Sequence, residues 1–159
     1  MANMYDIVIV GGGPGGYSAA LYAARAGLHA VVLEKQRIGG QAVHSETIEN
    51  YPGFDAGIDG LSLSEKMQRG AERFGAEMVT DEVCRVRLMQ PVKIIEGAKQ
   101  TYRAPAVILA TGAPPKKLGV QGEAEMLGRG VHYYAACRSM MYKRKTVAVI
   151  GDGEQAAEA

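Results

Sequence analysis

The sequence has no tryptophan, only two phenylalanines and only two cysteines among its 159 residues. Cys84 and Cys137 form no Cys-x-x-Cys pair, and their spacing suits neither a zinc site nor a disulfide framework. No metal is expected, and a reducing, cytoplasmic setting is. No apolar run approaches the ~20 residues that cross a bilayer. The N-terminus lacks the basic-then-apolar order of a secretion signal, so none is expected. The net charge is +1, which gives no electrostatic reason to expect nucleic acid or an anionic membrane surface as a partner. With 47% hydrophobic residues, this length suits one globular domain, or one and a part.

Glycine is abundant, at 21 residues, and it clusters. Ile7-Val8-Ile9-Val10 is a short β-branched run. Gly11-Gly12-Gly13-Pro14-Gly15-Gly16 follows at once, and a helical stretch runs from about Tyr17 to Ala26. Ala30-Val31-Val32-Leu33 then ends in Glu34, 18 residues past Gly16. The order of strand, glycine turn, helix, strand and acid predicts a dinucleotide-binding βαβ unit. Gly11 lets the chain turn off the strand, Gly13 admits a pyrophosphate, and Gly16 lets helix lie on strand. The pyrophosphate would sit on the free amides of the helix N-terminus. Glu34 would accept ribose hydroxyls, which favours FAD or NAD(H) over NADP(H) at this first site.

The polar loop Lys35 to Gln41 carries the doubled glycine Gly39-Gly40, which is either an ordinary loop or a second close approach to a ligand. Asp59 to Phe74 predicts a helix, with Ser62 and Glu65 as a capping box and Leu63, Met67, Ala71 and Phe74 on its core face. A strand at Glu77 to Thr80 follows. Cys84 to Leu88, Val92 to Ile95 and Thr101 to Arg103 predict a small antiparallel flap, with Cys84 a buried small hydrophobe. Ala106 to Ala110 is continuously apolar, the pattern of a central parallel strand covered on both faces, and Thr111-Gly112-Ala113 closes it. Thr146 to Ile150 predicts another apolar strand, and Gly151-Asp152-Gly153-Glu154-Gln155-Ala156 repeats the glycine fingerprint in its GxGxxA form. The basic run Lys143-Arg144-Lys145 is expected as a solvated edge, and His132 as a loop or interface histidine. The fold class is therefore α/β. A Rossmann-like domain with a small antiparallel flap spans residues 1–115, and the incomplete start of a second Rossmann-like domain spans 116–159.

Taken together, Ile9–Gly16, Glu34-Lys35, Gly39-Gly40-Gln41, Glu49-Asn50-Tyr51-Pro52-Gly53-Phe54, Ala110-Thr111-Gly112, Gly122-Glu123, Gly130-Val131 and Gly151–Ala156 resemble the N-terminal half of the low-molecular-weight thioredoxin reductases, two-domain flavoproteins using FAD and NADPH. The resemblance implies that Gly11, Gly12, Gly13, Pro14, Gly15 and Gly16 hold the FAD pyrophosphate. It places Glu34, with Lys35 beside it, at the adenosine ribose. Gly40, Gln41 and Asn50 would approach the ribityl chain and flavin ring, and Val83 with Ala110, Thr111 and Gly112 would line the adenosine. Gly151, Gly153 and Ala156 would begin an NADPH or NADH site. A homodimer is expected by the same likeness.

One departure from that pattern bears on function. The family places a redox Cys-x-x-Cys and then an acid before the second glycine fingerprint. Here the segment reads Tyr134-Ala135-Ala136-Cys137-Arg138. Disulfide exchange needs an attacking thiolate and a second thiol that resolves the mixed disulfide. With one sulfur, the relay from flavin to thioredoxin stops. Cys137 is then either a packed thiol or a redox centre of another kind, its pKa lowered by Arg138. The reading favoured here is a thioredoxin reductase-like flavoprotein that passes hydride from NAD(P)H to FAD and on to an acceptor other than a CxxC-relayed disulfide. The alternatives are a non-catalytic nucleotide- or partner-binding fragment and a genuine thioredoxin-disulfide reductase.

Overall fold

The computed structural model describes residues 3–36, 38–133, 142–151, 153 and 156. The chain forms two compact units, Met1–Pro114 and Pro115–Ala159. In the first, β1 (Asn3–Met4) leads into β2 (Ile7–Val10), α1 (Pro14–Arg25) and β3 (Ala30–Glu34). A short 3-10 turn (Gly40–His44) precedes α2 (Gly60–Glu72) and β4 (Glu77–Thr80). The strands β5 (Val83–Arg87), β6 (Lys93–Gly97), β7 (Thr101–Ala104) and β8 (Ala106–Leu109) complete it.

These strands make two sheets. One is parallel, in the order β4-β3-β2-β8; the other has the order β1-β7-β6-β5 and is antiparallel except where β1 joins β7. Because side chains alternate along a strand, the apolar runs of β2 and β3 supply two cores. Ile7, Ile9 and Val32 face Tyr17, Ala20, Ala24 and Ala71 of the helices. Val8, Val10, Val31 and Leu33 face Ile95, Tyr102 and Ala104 of the second sheet. The parallel sheet is thus covered by helices on one face and by the flap on the other. This explains why β2, and β3 from Ala30 to Leu33, are apolar at every position.

Four expectations are corrected in this unit. First, β8 pairs only with β2 and is an edge of its sheet, with Leu109 58% exposed. An apolar run fixes the strand but not the number of its neighbours. Second, Cys84 is exposed, as are Arg85, Val86 and Arg87 after it on the edge strand β5, with its thiol directed to the Glu82 carbonyl at 3.4 Å. Third, the α2 cap is Asp59, whose carboxylate accepts from Ser62 N–H at 2.9 Å; Ser62 lies inside the first turn. Fourth, Phe74 lies past the last turn of α2 and is exposed, with the guanidinium groups of Arg25 and Arg73 over its ring. Helix α1 also starts earlier than expected, at Pro14, whose fixed φ suits a first helical position.

In the second unit, Thr146–Ile150 forms no strand, and Val147, Val149 and Ile150 are exposed. No described strand lies beside this run to complete a hydrogen-bond ladder. No helix among the described residues is long and apolar enough to cross a membrane.

Two carboxylates tie the first unit together. Burial works to raise the Asp81 carboxyl, but bonds from Lys99 N–H, the Tyr102 phenol and Gln100 N–H outweigh it and hold it below the ordinary carboxylate range. Glu77 is held low chiefly by His29, whose Nε2 lies 2.7 Å away, and also by the Tyr5 hydroxyl at 2.9 Å. A group whose folded pKa is depressed stabilises the fold above its unfolded value. That contribution is lost as pH falls through the folded value. The unfolding free energy is therefore expected to drop as pH falls below about 4. The slope should shrink in Asp81→Asn and in Glu77→Gln when unfolding is followed by tyrosine near-ultraviolet dichroism at each pH.

Candidate functional site

The C-terminal end of β2 runs directly into the first glycine turn. Gly11 has φ +110, and a Cβ there would lie 2.2 Å from the Ala110 carbonyl oxygen. A Cβ on Gly16 would lie 1.9 Å from the Gly11 carbonyl oxygen. The chain after β8 and the first turn of α1 therefore pack backbone against backbone on this loop. Gly11 N–H donates to the Leu33 carbonyl, and Ala110 N–H to the Val10 carbonyl, both at 2.8 Å, which fixes the turn to the strand ends. Gly13 caps α1 without a side-chain bond, and the first turn holds no acid. Its free amides and the helix dipole are thus open to an anion.

The second glycine pair lies against the first. Gly39 N–H donates to the Gly12 carbonyl at 2.7 Å, and a Cβ on Gly40 would lie 3.5 Å from Gly13 Cα. The local sequence left open whether Gly39-Gly40 was an ordinary loop; it packs on the phosphate-type turn. The end of β3 closes the third side. Glu34 Oε2 accepts from Gly12 N–H at 2.7 Å, and Oε1 from Gln36 N–H at 3.3 Å. The other end of the carboxylate's reach is a pocket of about 180 Å³ bordered by Tyr17, Gln36, Gln68, Glu72 and Thr80.

Three residues of this arrangement were not read as functional from sequence. The Tyr17 ring is buried beneath the turn, its hydroxyl 3.0 Å from where a Gly12 Cβ would be. Burial is the main cause that pushes its pKa up to about 12; a Gly39 backbone bond opposes that rise, while the Glu34 and Glu72 charges add to it. Ser64 of α2 is buried and donates to the Gly60 carbonyl at 2.7 Å, and it fills the space a Gly39 Cβ would need. Gly60 in turn packs on the Ala42 carbonyl. The start of α2 thus braces the second glycine pair. The only sequence signal was small residues at the start of α2. Asp81 is the third, one residue past β4, with Asp81 N–H donating to the Glu34 carbonyl at 3.0 Å.

The other expected residues are placed as follows. Lys35 and Gln41 are exposed on the loop and 3-10 turn after β3. Asn50 lies in an open hollow of about 450 Å³ formed by the Glu49–Asp55 loop. Val83 opens β5, half-buried against the flap-side core. Pro14 and Gly15 form the first turn of α1. Thr111 and Gly112 follow Ala110 as exposed chain, Gly112 with φ +74.

In the second unit, Glu123 is buried and accepts from Leu118 N–H at 2.9 Å, from Gly119 N–H at 2.6 Å and from the Tyr133 hydroxyl. The Tyr133 bond is the largest cause holding the Glu123 carboxyl low, and the same bond raises the phenol. His132 sits edge-on to Tyr142, with its Nε2 buried and without a hydrogen-bond partner. Lys143, Arg144 and Lys145 are exposed. Gly151 and Gly153 are exposed, and Ala156 N–H donates to the Gly153 carbonyl at 3.0 Å. Tyr134, Cys137, Arg138 and the remaining fingerprint positions 152, 154 and 155 lie outside the described residues. Among the described residues no acid, histidine and cysteine cluster could hold a metal.

Residues 5–159 match the model of the pyridine nucleotide-disulphide oxidoreductase family. A thioredoxin reductase from Peptoclostridium acidaminophilum is 44% identical over 158 residues, 99% of this chain and 50% of its own length. The thioredoxin reductase structure from Streptococcus pyogenes superposes with a TM-score of 0.79 at 39% identity, over 89% of this chain and 46% of that one. A ferredoxin-flavin thioredoxin reductase from Clostridium acetobutylicum superposes at 0.65 and 33% identity, over 89% of this chain and 49% of that one. The chain spans about half the length of the curated relatives it matches.

Proposed function

Because the chain belongs to the pyridine nucleotide-disulphide oxidoreductase family, we propose that its first unit holds FAD in a thioredoxin reductase-like oxidoreductase of the cytoplasm, dimeric as that likeness suggests. The observation that carries this reading is the meeting of two glycine turns, backbone to backbone, at an uncapped helix N-terminus beside Glu34. The first turn of α1 has no side-chain cap bond and no acid, and the donors there are amides, with the Gly12 N–H taken by Glu34. A dinucleotide fits that chemistry. Gly11 to Gly16 would bind the pyrophosphate. Glu34, with Lys35 beside it, would take the ribose of the adenosine. Val83, Ala110, Thr111 and Gly112 would border the adenosine, and Gly40, Gln41 and Asn50 would face the ribityl chain and ring.

The flavin, when bound, supplies the hydride and electron chemistry; the chain's residues position it. In this reading the second domain, from residue 116, begins the NAD(P)H site with Gly151, Gly153 and Ala156. The acceptor is not a CxxC-relayed disulfide, because the only sulfur in the Tyr134–Arg138 segment is Cys137. A quinone, oxygen, a redox protein or a sulfenic acid on Cys137 would take the electrons instead.

The test is an absorbance spectrum from about 350 to 550 nm of the FAD-reconstituted chain, before and after anaerobic NADPH. A protein-bound band near ~450 nm that bleaches supports both site and hydride path. A band that stays places the fault in the second unit. No retained flavin would overturn the reading and leave a partner-binding fragment.

A further inference from the structure

Asp81 is 2% exposed, and the βαβ motif gives it no role. It sits at the join between β4 and β5. Its own N–H continues the β3/β4 ladder one step, onto the carbonyl of Glu34. Its carboxylate reaches into the β6–β7 hairpin and accepts from Lys99 N–H at 3.0 Å, Gln100 N–H at 3.3 Å and the buried Tyr102 hydroxyl at 2.9 Å. The residues on either side are stitched to the same hairpin. Lys99 Nζ donates to the Thr80 carbonyl at 2.7 Å, and Ala98 N–H to the Glu82 carbonyl at 2.8 Å. The next residue, Val83, pairs with Gly97. Gly97 is tailored to the carboxylate: a Cβ there would lie 2.3 Å from Asp81 Oδ2.

A buried carboxylate is costly unless its oxygens are met by donors. Three donors meet this one, and all three come from the flap. We infer that Asp81 is a positioning residue for the adenosine end of the cofactor site. It holds the Thr80–Val83 connection and the Glu34 strand end in one geometry by anchoring the flap. The inference rests on the FAD reading above. It makes the flap part of the binding apparatus and separates two halves of one ligand. The pyrophosphate end depends on the glycine turns, which Asp81 does not touch. The adenosine end depends on Glu34 and Val83, which it holds.

The test is calorimetric titration of the 159-residue chain with ADP, with inorganic pyrophosphate measured as a competitor. The variants are Asp81→Asn and Gly97→Ala, which disturb the same contact from opposite sides. Gly97 has no left-handed φ, and the atoms nearest an added Cβ are those of the Asp81 carboxylate. ADP affinity is expected to fall about tenfold or more in both, the scale of a lost charge-assisted bond, while the pyrophosphate constant stays unchanged. Equal loss of both ligands, or failure of both variants to fold, would make Asp81 a general fold staple and overturn the inference. Unchanged ADP affinity in folded variants would overturn it too, and leave the FAD reading standing. A wild-type chain that binds neither ligand would overturn the FAD reading itself and the inference with it.

Discussion

Gly16→Ala is expected to abolish nucleotide binding and to destabilise the first unit by about 3 kcal/mol or more. In a helix, glycine to alanine ordinarily gains up to about 1 kcal/mol, because alanine loses less backbone freedom. The sign reverses here because the added methyl has nowhere to go. It would lie 1.9 Å from the Gly11 carbonyl oxygen and 3.0 Å from the Gly11 carbonyl carbon. Both are backbone atoms of a turn pinned on two sides, by Gly11 N–H to the Leu33 carbonyl and by Ala110 N–H to the Val10 carbonyl. The helix must therefore lift off β2. That opens the core in which Tyr17, Ala20 and Ala24 meet Ile7, Ile9 and Val32, and it moves the α1 amides away from the Gly11–Gly13 turn. Two other helix glycines supply the controls. Gly15 precedes it, and Gly70 lies inside α2; a Cβ at either meets nothing within 4 Å. Gly15→Ala and Gly70→Ala are expected to leave stability unchanged or raised by up to about 1 kcal/mol. Denaturant unfolding of the three variants, with ADP titrated into each, measures both effects. A Gly16→Ala chain as stable as Gly15→Ala would show that the helix does not rest on the turn.

The contrast between these glycines marks what a sequence can disclose. The strand, turn, helix, strand and acid from Ile7 to Glu34 were legible because each step is local. Period, glycine placement and the terminal acid lie within one continuous stretch. The antiparallel flap was legible for the same reason, as three short strands with turns between them. What was not legible depends on residues far apart in the chain. Ser64 reads as an unremarkable helix serine until α2 is laid on Gly39, 25 positions earlier. Asp81 reads as a loop acid until the β6–β7 turn closes over it. The apolar pattern of β8 is the same for a centre or an edge, because sequence does not state how many strands lie alongside. Cys84 was misplaced on the same account: a small apolar residue in a strand is buried only if its side of the sheet is covered. The α2 cap was a contest between two polar residues three apart, and it went to Asp59, the one before the helix with extended backbone.

The other large effect concerns Tyr134. Completed with the remaining half of the Peptoclostridium acidaminophilum thioredoxin reductase, this chain is expected to let NADPH bleach bound flavin. It should still leave thioredoxin disulfide unreduced, slower on the order of 10³-fold or more than the relative, the scale on which loss of a covalent nucleophile acts. Exchange proceeds when a thiolate attacks a disulfide and a second thiol resolves the mixed species. Cys137 can perform at most one of those steps. Tyr134 offers a phenol, which forms no disulfide, and Arg138 stands where the resembled pattern has an acid to donate the leaving proton. Tyr134→Cys with Arg138→Asp is therefore expected to restore turnover, whereas Tyr134→Cys alone should restore less because the proton donor is still missing. Cys84 is the other cysteine in the chain, exposed on β5. If it served as the second thiol, the unaltered fusion would reduce thioredoxin and Cys84→Ser would abolish that activity. If the fusion is silent with or without Cys84→Ser and the double substitution awakens it, the lost pair is what separates this chain from disulfide reduction, and its electrons leave the flavin by another route.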